Sequence, residues 1–191
     1  NVEGYLCMKY PWPSILRTTY GDHERCRVTY FSHYKDHYFT GDGARRDENG
    51  MYRIIGRVDD VIIVSGHNLG TAPIEDAINE HQGVAESAIV GYPHDIKGNA
   101  LFGYVILKDE AAQRNPDEMR VEINRLISDK IGPIAKLDII TFVPGLPKTR
   151  SGKIMRRILR KIAQKDVSNL GDTSTLLNPE VVASIRDIVG V

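Results

Sequence analysis

Residues 51–81 read MYRIIGRVDDVIIVSGHNLGTAPIEDAINEH, and the fold turns on how they divide. The runs MYRIIGRV and VIIVSG are short and rich in β-branched residues, so each reads as a strand. Between them stand Asp59 and Asp60. An acidic pair at such a join reads either as the solvated tip of a hairpin or as a hinge that absorbs backbone rotation. Thr71 then offers a hydroxyl cap, and Pro73 sits in the first turn of a helix continuing as IEDAINEH.

The same alternation continues downstream. AESAIVGY and LFGYVILK read as strands. Pro116 opens a helix with Met119, Ile123, Leu126 and Ile127 on one face, ending near Gly132-Pro133. DIITFV is a further strand. After Gly152 a helix carries Ile154, Met155, Ile158, Leu159, Ile162 and Ala163 as one apolar stripe, with arginines and lysines on its other faces. A polar stretch, KDVSNLGDTSTLLN, leads to a terminal helix, PEVVASIRDIV. Residues 60–165 therefore read as a compact α+β domain followed by a tail over 166–191. Upstream, LCMKY, RVTYF and HYFTG read as short strands or loops at the edge of another domain, and DENG at residues 47–50 reads as a hairpin turn.

Composition narrows the function classes. The chain has 191 residues, enough for one domain or one domain plus part of another. Its 41% hydrophobic and 26% charged content is that of a folded globular protein. Lys plus Arg and Asp plus Glu balance at 25 each, so no global pull on nucleic acid is expected. The two cysteines, Cys7 and Cys26, lack CxxC spacing, which points to reduced thiols and a cytoplasmic setting, without a zinc site. No apolar run is long enough for a membrane span. The chain opens on Asn1 in mid-pattern, with neither a signal peptide nor an initiator methionine, and reads as part of something longer.

Four places carry chemistry. Asp42, between Gly41 and Gly43, could accept two hydrogen bonds from a ribose diol, or be a plain acidic turn. Arg57 could reach the hydroxyls or phosphates of a nucleotide. Ser65-Gly66 follows a buried-looking strand, where the missing Cβ would admit a thin ligand against the backbone. Lastly, LPKTRSGKIMRRILRKI puts Lys148, Arg150, Lys153, Arg156, Arg157, Arg160 and Lys161 close together, with Lys165 just beyond. It is no P-loop: Gly145 is wrongly spaced from Gly152, and Ile154 stands where the magnesium-binding hydroxyl belongs. Phosphate binding, nucleic-acid binding and a solvated helix whose basic stems cover apolar neighbours stay open, although aromatics for base stacking are absent. His33 and His37 lack the glutamate of a metalloprotease helix.

Taken in order, YGDHER, YFTGDGARRDENGMYRIIGRVDDVIIVSGHNLGTAPIEDAI, AESAIVGYPHDIKGNALFGYV, LPKTRSGKIMRRILRKIA and DVSNLGDTSTLLNP resemble the C-terminal part of the acetyl-CoA synthetase family, AMP-forming ligases of the adenylate-forming superfamily. The resemblance covers essentially the whole chain. It implies a small α+β domain, a short mixed sheet packed with helices, over residues 59–191, preceded at 1–58 by the β-rich tail of a large N-terminal domain. It implies ATP/AMP, CoA and Mg2+ as cofactors, and acetate activation through acetyl-AMP. Asp42, Arg57 and Asn68 would bind the nucleotide, Asp59 would be the hinge, and Ser65 and Gly66 would line the CoA tunnel. Lys153 would be the adenylation lysine and a target of acetylation, reversed by a sirtuin-type deacetylase. Asn79, His81 and Val84 match a magnesium site.

Two departures stand out. Asn68 in GHNLGT replaces the arginine common in the family, and in ISDKIGP Ser128 stands where many members place an arginine near the CoA 3′-phosphate, with Lys130 as a substitute. The phosphate loop and acyl pocket of the family lie outside these residues, so the chain alone is expected to be inactive. The competing readings are a propionyl- or other short-chain acyl-CoA synthetase, and a noncatalytic basic binding module.

Overall fold

The computed structural model describes residues 2–191. The chain divides into two compact units, one ending at Val61 and the other spanning Ile62–Val191.

The first unit is an antiparallel sheet of β1 (Val2–Met8), β2 (Tyr38–Arg46) and β3 (Tyr52–Arg57), in that order, with α1 (His23–Tyr30) between β1 and β2 in sequence. The DENG turn joins β2 to β3 as the Asn-Gly pair predicts. Asp47 Oδ1 accepts the amides of Asn49 and Met51, each at 2.9 Å. RVTYF differs from its reading as strand or loop: most of it lies in α1. Its β-branched and aromatic residues favour strand, but Asp22 caps the helix by accepting the Arg25 amide at 3.0 Å, and Glu24 pairs with Arg27 one turn on. Tyr38 stacks on Tyr30 at 5.3 Å between ring centres and ties the helix to the sheet.

The second unit is a five-stranded mixed sheet. It holds β4 (Val61–Val64), β5 (His67–Gly70), β6 (Val84–His94), β7 (Gly98–Leu107) and β8 (Ile139–Phe142), ordered β5-β4-β7-β6 with β8 parallel to β7. Four helices join them: α2 (Thr71–Asn79), α3 (Pro116–Lys130), α4 (Arg156–Ala163) and α5 (Glu180–Val189). The strands alternate strictly. Ile89, Leu101 and Val105 pack with Ile74 and Ile78 of α2 and Ile123 and Ile127 of α3. Ala88, Val90, Phe102 and Tyr104 pack with Ile158, Leu159 and Ile162 of α4 and with Val182 and Ile185 of α5. A sheet covered on both faces buries successive positions, which explains the apolar runs AIVGY and LFGYVIL within these strands.

Three local expectations shift. Thr71 is the first helical residue of α2, and Gly70 occupies the cap. Helix α4 begins at Arg156, not directly after Gly152, because residues 147–154 form a small hairpin first. Asp59 and Asp60 are not a hairpin tip: β3 and β4 belong to different sheets, and Val58–Asp60 is a 3-10 turn between them.

Candidate functional site

In the first unit, Asp42 and Arg57 are register partners across β2 and β3. Arg57 Nη1 stands 3.5 Å from Asp42 Oδ1, and its Nε donates to Asp59 Oδ1 at 3.0 Å. Its Nη1 also donates to the Thr40 carbonyl at 3.3 Å. Burial alone would lower the Arg57 pKa. The hydrogen bond to Asp59 and the charges of Asp59, Asp42 and Asp60 outweigh that and raise it. The guanidinium is therefore a fixed cation, held between the proposed ribose-binding carboxylate and the proposed hinge. Beside it opens a cavity of about 270 Å3, lined by Tyr30, His33, Phe39, Thr40, Gly41 and Arg57 among others.

In the second unit, Ser65 and Gly66 join β4 to β5. Both have positive φ, 48° and 81°, the signature of a tight two-residue hairpin turn that matches strand twist. Glycine at 66 thus has a local backbone reason. A Cβ there would meet nothing within 4 Å, so the turn also presents bare backbone to open space. The Ser65 amide is fixed by the Lys97 carbonyl at 2.9 Å. Asn68 lies exposed on β5.

Lys153 lies on the hairpin of residues 147–154. Lys148 and Ile154 bridge its two strands, the Thr149 amide donates to the Lys153 carbonyl at 2.9 Å, and Gly152 turns the chain with φ 81°. Thr149 Oγ1 accepts the Lys153 amide at 3.1 Å. Most of the surrounding cations are engaged. Lys148 pairs with Glu86 at 2.7 Å, Arg156 with Glu75 at 2.5 Å, and Lys161 donates to the Asn169 carbonyl at 2.6 Å. Arg157 reaches the Leu170 carbonyl at 3.5 Å, and Arg160 is engaged as well. Among the described residues no partner holds the Lys153 ammonium, and the same is true of Arg150 and Lys165; all three are exposed. The basic stretch is thus mostly internal wiring, with Lys153 and Arg150 left on the hairpin to meet something else.

The sequence reading missed Glu75. It is 8% exposed, and its Oε1 accepts the Ile89 amide at 2.8 Å while Arg156 grips both oxygens. The available signal was its place between Ile74 and Ile78 on the apolar face of α2, where a carboxylate needs a buried partner.

At the proposed magnesium position, Asn79 Oδ1 accepts the Ser87 hydroxyl at 2.9 Å. His81 Nδ1 accepts the Gly83 amide at 3.1 Å, so its proton sits on Nε2, which faces Glu122 at 3.1 Å. The Val84 amide donates to the His81 carbonyl at 3.0 Å. With both ring nitrogens engaged, the imidazole does not fit as a ligand; only main-chain oxygens remain. Ser128 lines a groove with Arg120, Asn124, Arg125 and Lys136, whereas Lys130 is paired with Glu80.

A small domain with helices on both faces of a mixed sheet, carrying a partnerless lysine on a braced hairpin, defines a class. Residues 73–153 match the AMP-binding enzyme C-terminal domain. The chain therefore carries an AMP-binding enzyme C-terminal domain. It is similar to acetyl-coenzyme A synthetases. It is 61% identical over 183 residues to that of Syntrophobacter fumaroxidans and 59% identical over 180 residues to that of Methylorubrum extorquens strain PA1. These matches cover 96% and 94% of this chain, which spans 28% and 27% of those relatives' lengths. Among solved structures, acetoacetyl-CoA synthetase from Streptomyces lividans shares the fold, with a TM-score of 0.82 at 22% identity over 99% of this chain and 28% of that one. ATP-bound MatB from Rhodopseudomonas palustris gives a TM-score of 0.68 at 25% identity over 82% and 30%.

Proposed function

We propose that this chain is the part of an AMP-forming acetate–CoA ligase that supplies the adenylation lysine, the hinge and the CoA-facing turn. Acetate attacks the α-phosphate of ATP, giving acetyl-AMP and pyrophosphate. The CoA thiol then displaces AMP. Lys153 places its ammonium between the acyl carboxylate and the α-phosphate, where negative charge builds up in the first step. A cation preorganised there is worth several kcal/mol of barrier. Asp42 takes the ribose hydroxyls and Arg57 the nucleotide, with the uncharged amide of Asn68 able to add a hydrogen bond. Rotation at Asp59 withdraws Lys153 and presents Ser65 and Gly66 to the pantetheine arm for the second step.

The observation that carries this reading is the unpartnered Lys153 ammonium on a braced hairpin, with Lys148, Arg156, Arg157, Arg160 and Lys161 tied down around it. Acetylation of Lys153 by a lysine acetyltransferase would remove its charge and stop adenylation, and a sirtuin-type deacetylase would restore it. The catalytic partner is the large N-terminal domain of the same enzyme, acting in the cytoplasm. Magnesium would accompany ATP. At Asn79, His81 and Val84 only main-chain oxygens could hold it, and no step is assigned to that position.

The test is acetate-dependent ATP–pyrophosphate exchange by the full-length enzyme, wild type against Lys153→Ala. Exchange is expected to fall by about 3–4 kcal/mol of barrier, a hundredfold or more. Thioester formation from supplied acetyl-AMP is expected to survive. Undiminished exchange would make Lys153 a solvated residue.

A further inference from the structure

The polar stretch after α4 has no part in the chemistry above, yet it is built against the Lys153 hairpin. Thr149 and Leu176 form an antiparallel bridge. The Leu177 amide donates to the Lys148 carbonyl at 2.8 Å. Asn178 completes the join with both ends of its amide: Oδ1 accepts the Lys148 amide at 3.0 Å, and Nδ2 donates to the Leu146 carbonyl at 2.9 Å. The hairpin closed by Lys148 and Ile154 therefore gains an outer third strand.

That addition matters because a short two-stranded hairpin is marginal alone, and a third strand gives it independent stability. Without the tail, both main-chain groups of Lys148 would lose their partners. Lysine is a long side chain, so its ammonium is placed only as well as its backbone. A misplacement of about 1 Å at a reacting charge costs about a hundredfold in rate. The tail's contribution to the core is separable from this bracing. Leu176, 6% exposed, and Val182 and Ile185 of α5 fill the apolar cluster under α4, whereas the Asn178 side chain spends its amide on Leu146 and Lys148.

We infer that residues 172–178 are a strap that positions Lys153 for the adenylation step, with Asn178 as its positioning residue. The inference rests on the proposed role of Lys153. The test uses the full-length enzyme with Asn178→Ala, Asn178→Asp and Lys153→Ala, each assayed in both half-reactions. For Asn178→Ala, ATP–pyrophosphate exchange falls about tenfold or more, while thioester formation from acetyl-AMP stays within about twofold. Asn178→Asp keeps the acceptor for the Lys148 amide and retains more exchange than Asn178→Ala. An equal fall in both half-reactions would reduce Asn178 to a structural residue and overturn the inference. So would normal exchange in Asn178→Ala when Lys153→Ala has lost it. Normal exchange in Lys153→Ala would instead remove the proposed function itself, and the strap with it. If Asn178→Ala does not fold, the same comparison of half-reactions in Asn178→Asp decides.

Discussion

The Arg57 guanidinium lies where a side chain on Gly41 would stand: a Cβ at that position meets Arg57 Nη2 at 2.9 Å. Gly41 also has φ 77°, a region that side chains rarely adopt. The glycine beside Asp42 thus makes room for a neighbouring arginine.

Gly41→Ala follows from that contact. The backbone strain costs about 1–2 kcal/mol. The guanidinium is the mobile end of a long side chain, so it shifts more cheaply than the backbone. Its shift loosens the contacts to Asp42 and Asp59. In the full-length enzyme the KM for ATP is expected to rise severalfold with the KM for acetate unchanged. Steady-state kinetics with each substrate varied in turn checks this, and an unaltered KM for ATP would separate Gly41 from nucleotide binding.

Arg156 and Glu75 give a stability prediction. Their side chains are 24% and 10% exposed, and Glu75 also holds the Ile89 amide. Removing the arginine leaves a nearly buried carboxylate without its cation. Arg156→Ala is expected to cost about 3 kcal/mol, read from urea unfolding. Glu75→Gln keeps an acceptor for Ile89 and costs less. If Arg156→Ala proves as mild as an ordinary surface change, the pair is not holding α2, β6 and α4 together.

Much of this fold was legible because its central strands are covered on both faces. AESAIVGY and LFGYVILK, with their short apolar runs, read as strands, and the structure covers both of their faces. Pro116 marked α3 for an equally local reason, its fixed φ at a helix start. The start of α4 was not legible. Ile154 and Met155 continue the apolar stripe in register, and only the tertiary pairing of Lys148 with Ile154 takes them out of the helix. Helix α1 was hidden by the strand propensity of its Val, Thr and Tyr, which a cap and an ion pair overrode. For the site, residue types pointed to Lys153, but not to its lacking a partner while most nearby cations have one. That depends on Glu75, Glu86 and the carbonyls of Asn169 and Leu170, each brought from elsewhere in the chain to quiet its neighbours.

The last prediction concerns acid. The Glu122 carboxyl is held below the usual glutamate range, first by the Arg114 hydrogen bond and then by that of His81. A carboxylate with a lowered folded-state pKa binds its proton more readily when unfolded. Its contribution is therefore complete above the ordinary glutamate value and disappears as pH falls through the lowered one. Glu122→Gln lacks that component at every pH. Between neutrality and about pH 3 the urea midpoint of the wild type should fall further than that of Glu122→Gln, so the two curves converge in acid. Arg114 is itself exposed, and the gap should narrow in high salt. Parallel curves across the range would mean that Glu122 titrates alike in the folded and unfolded chain, and that the Arg114 and His81 contacts do not set its charge.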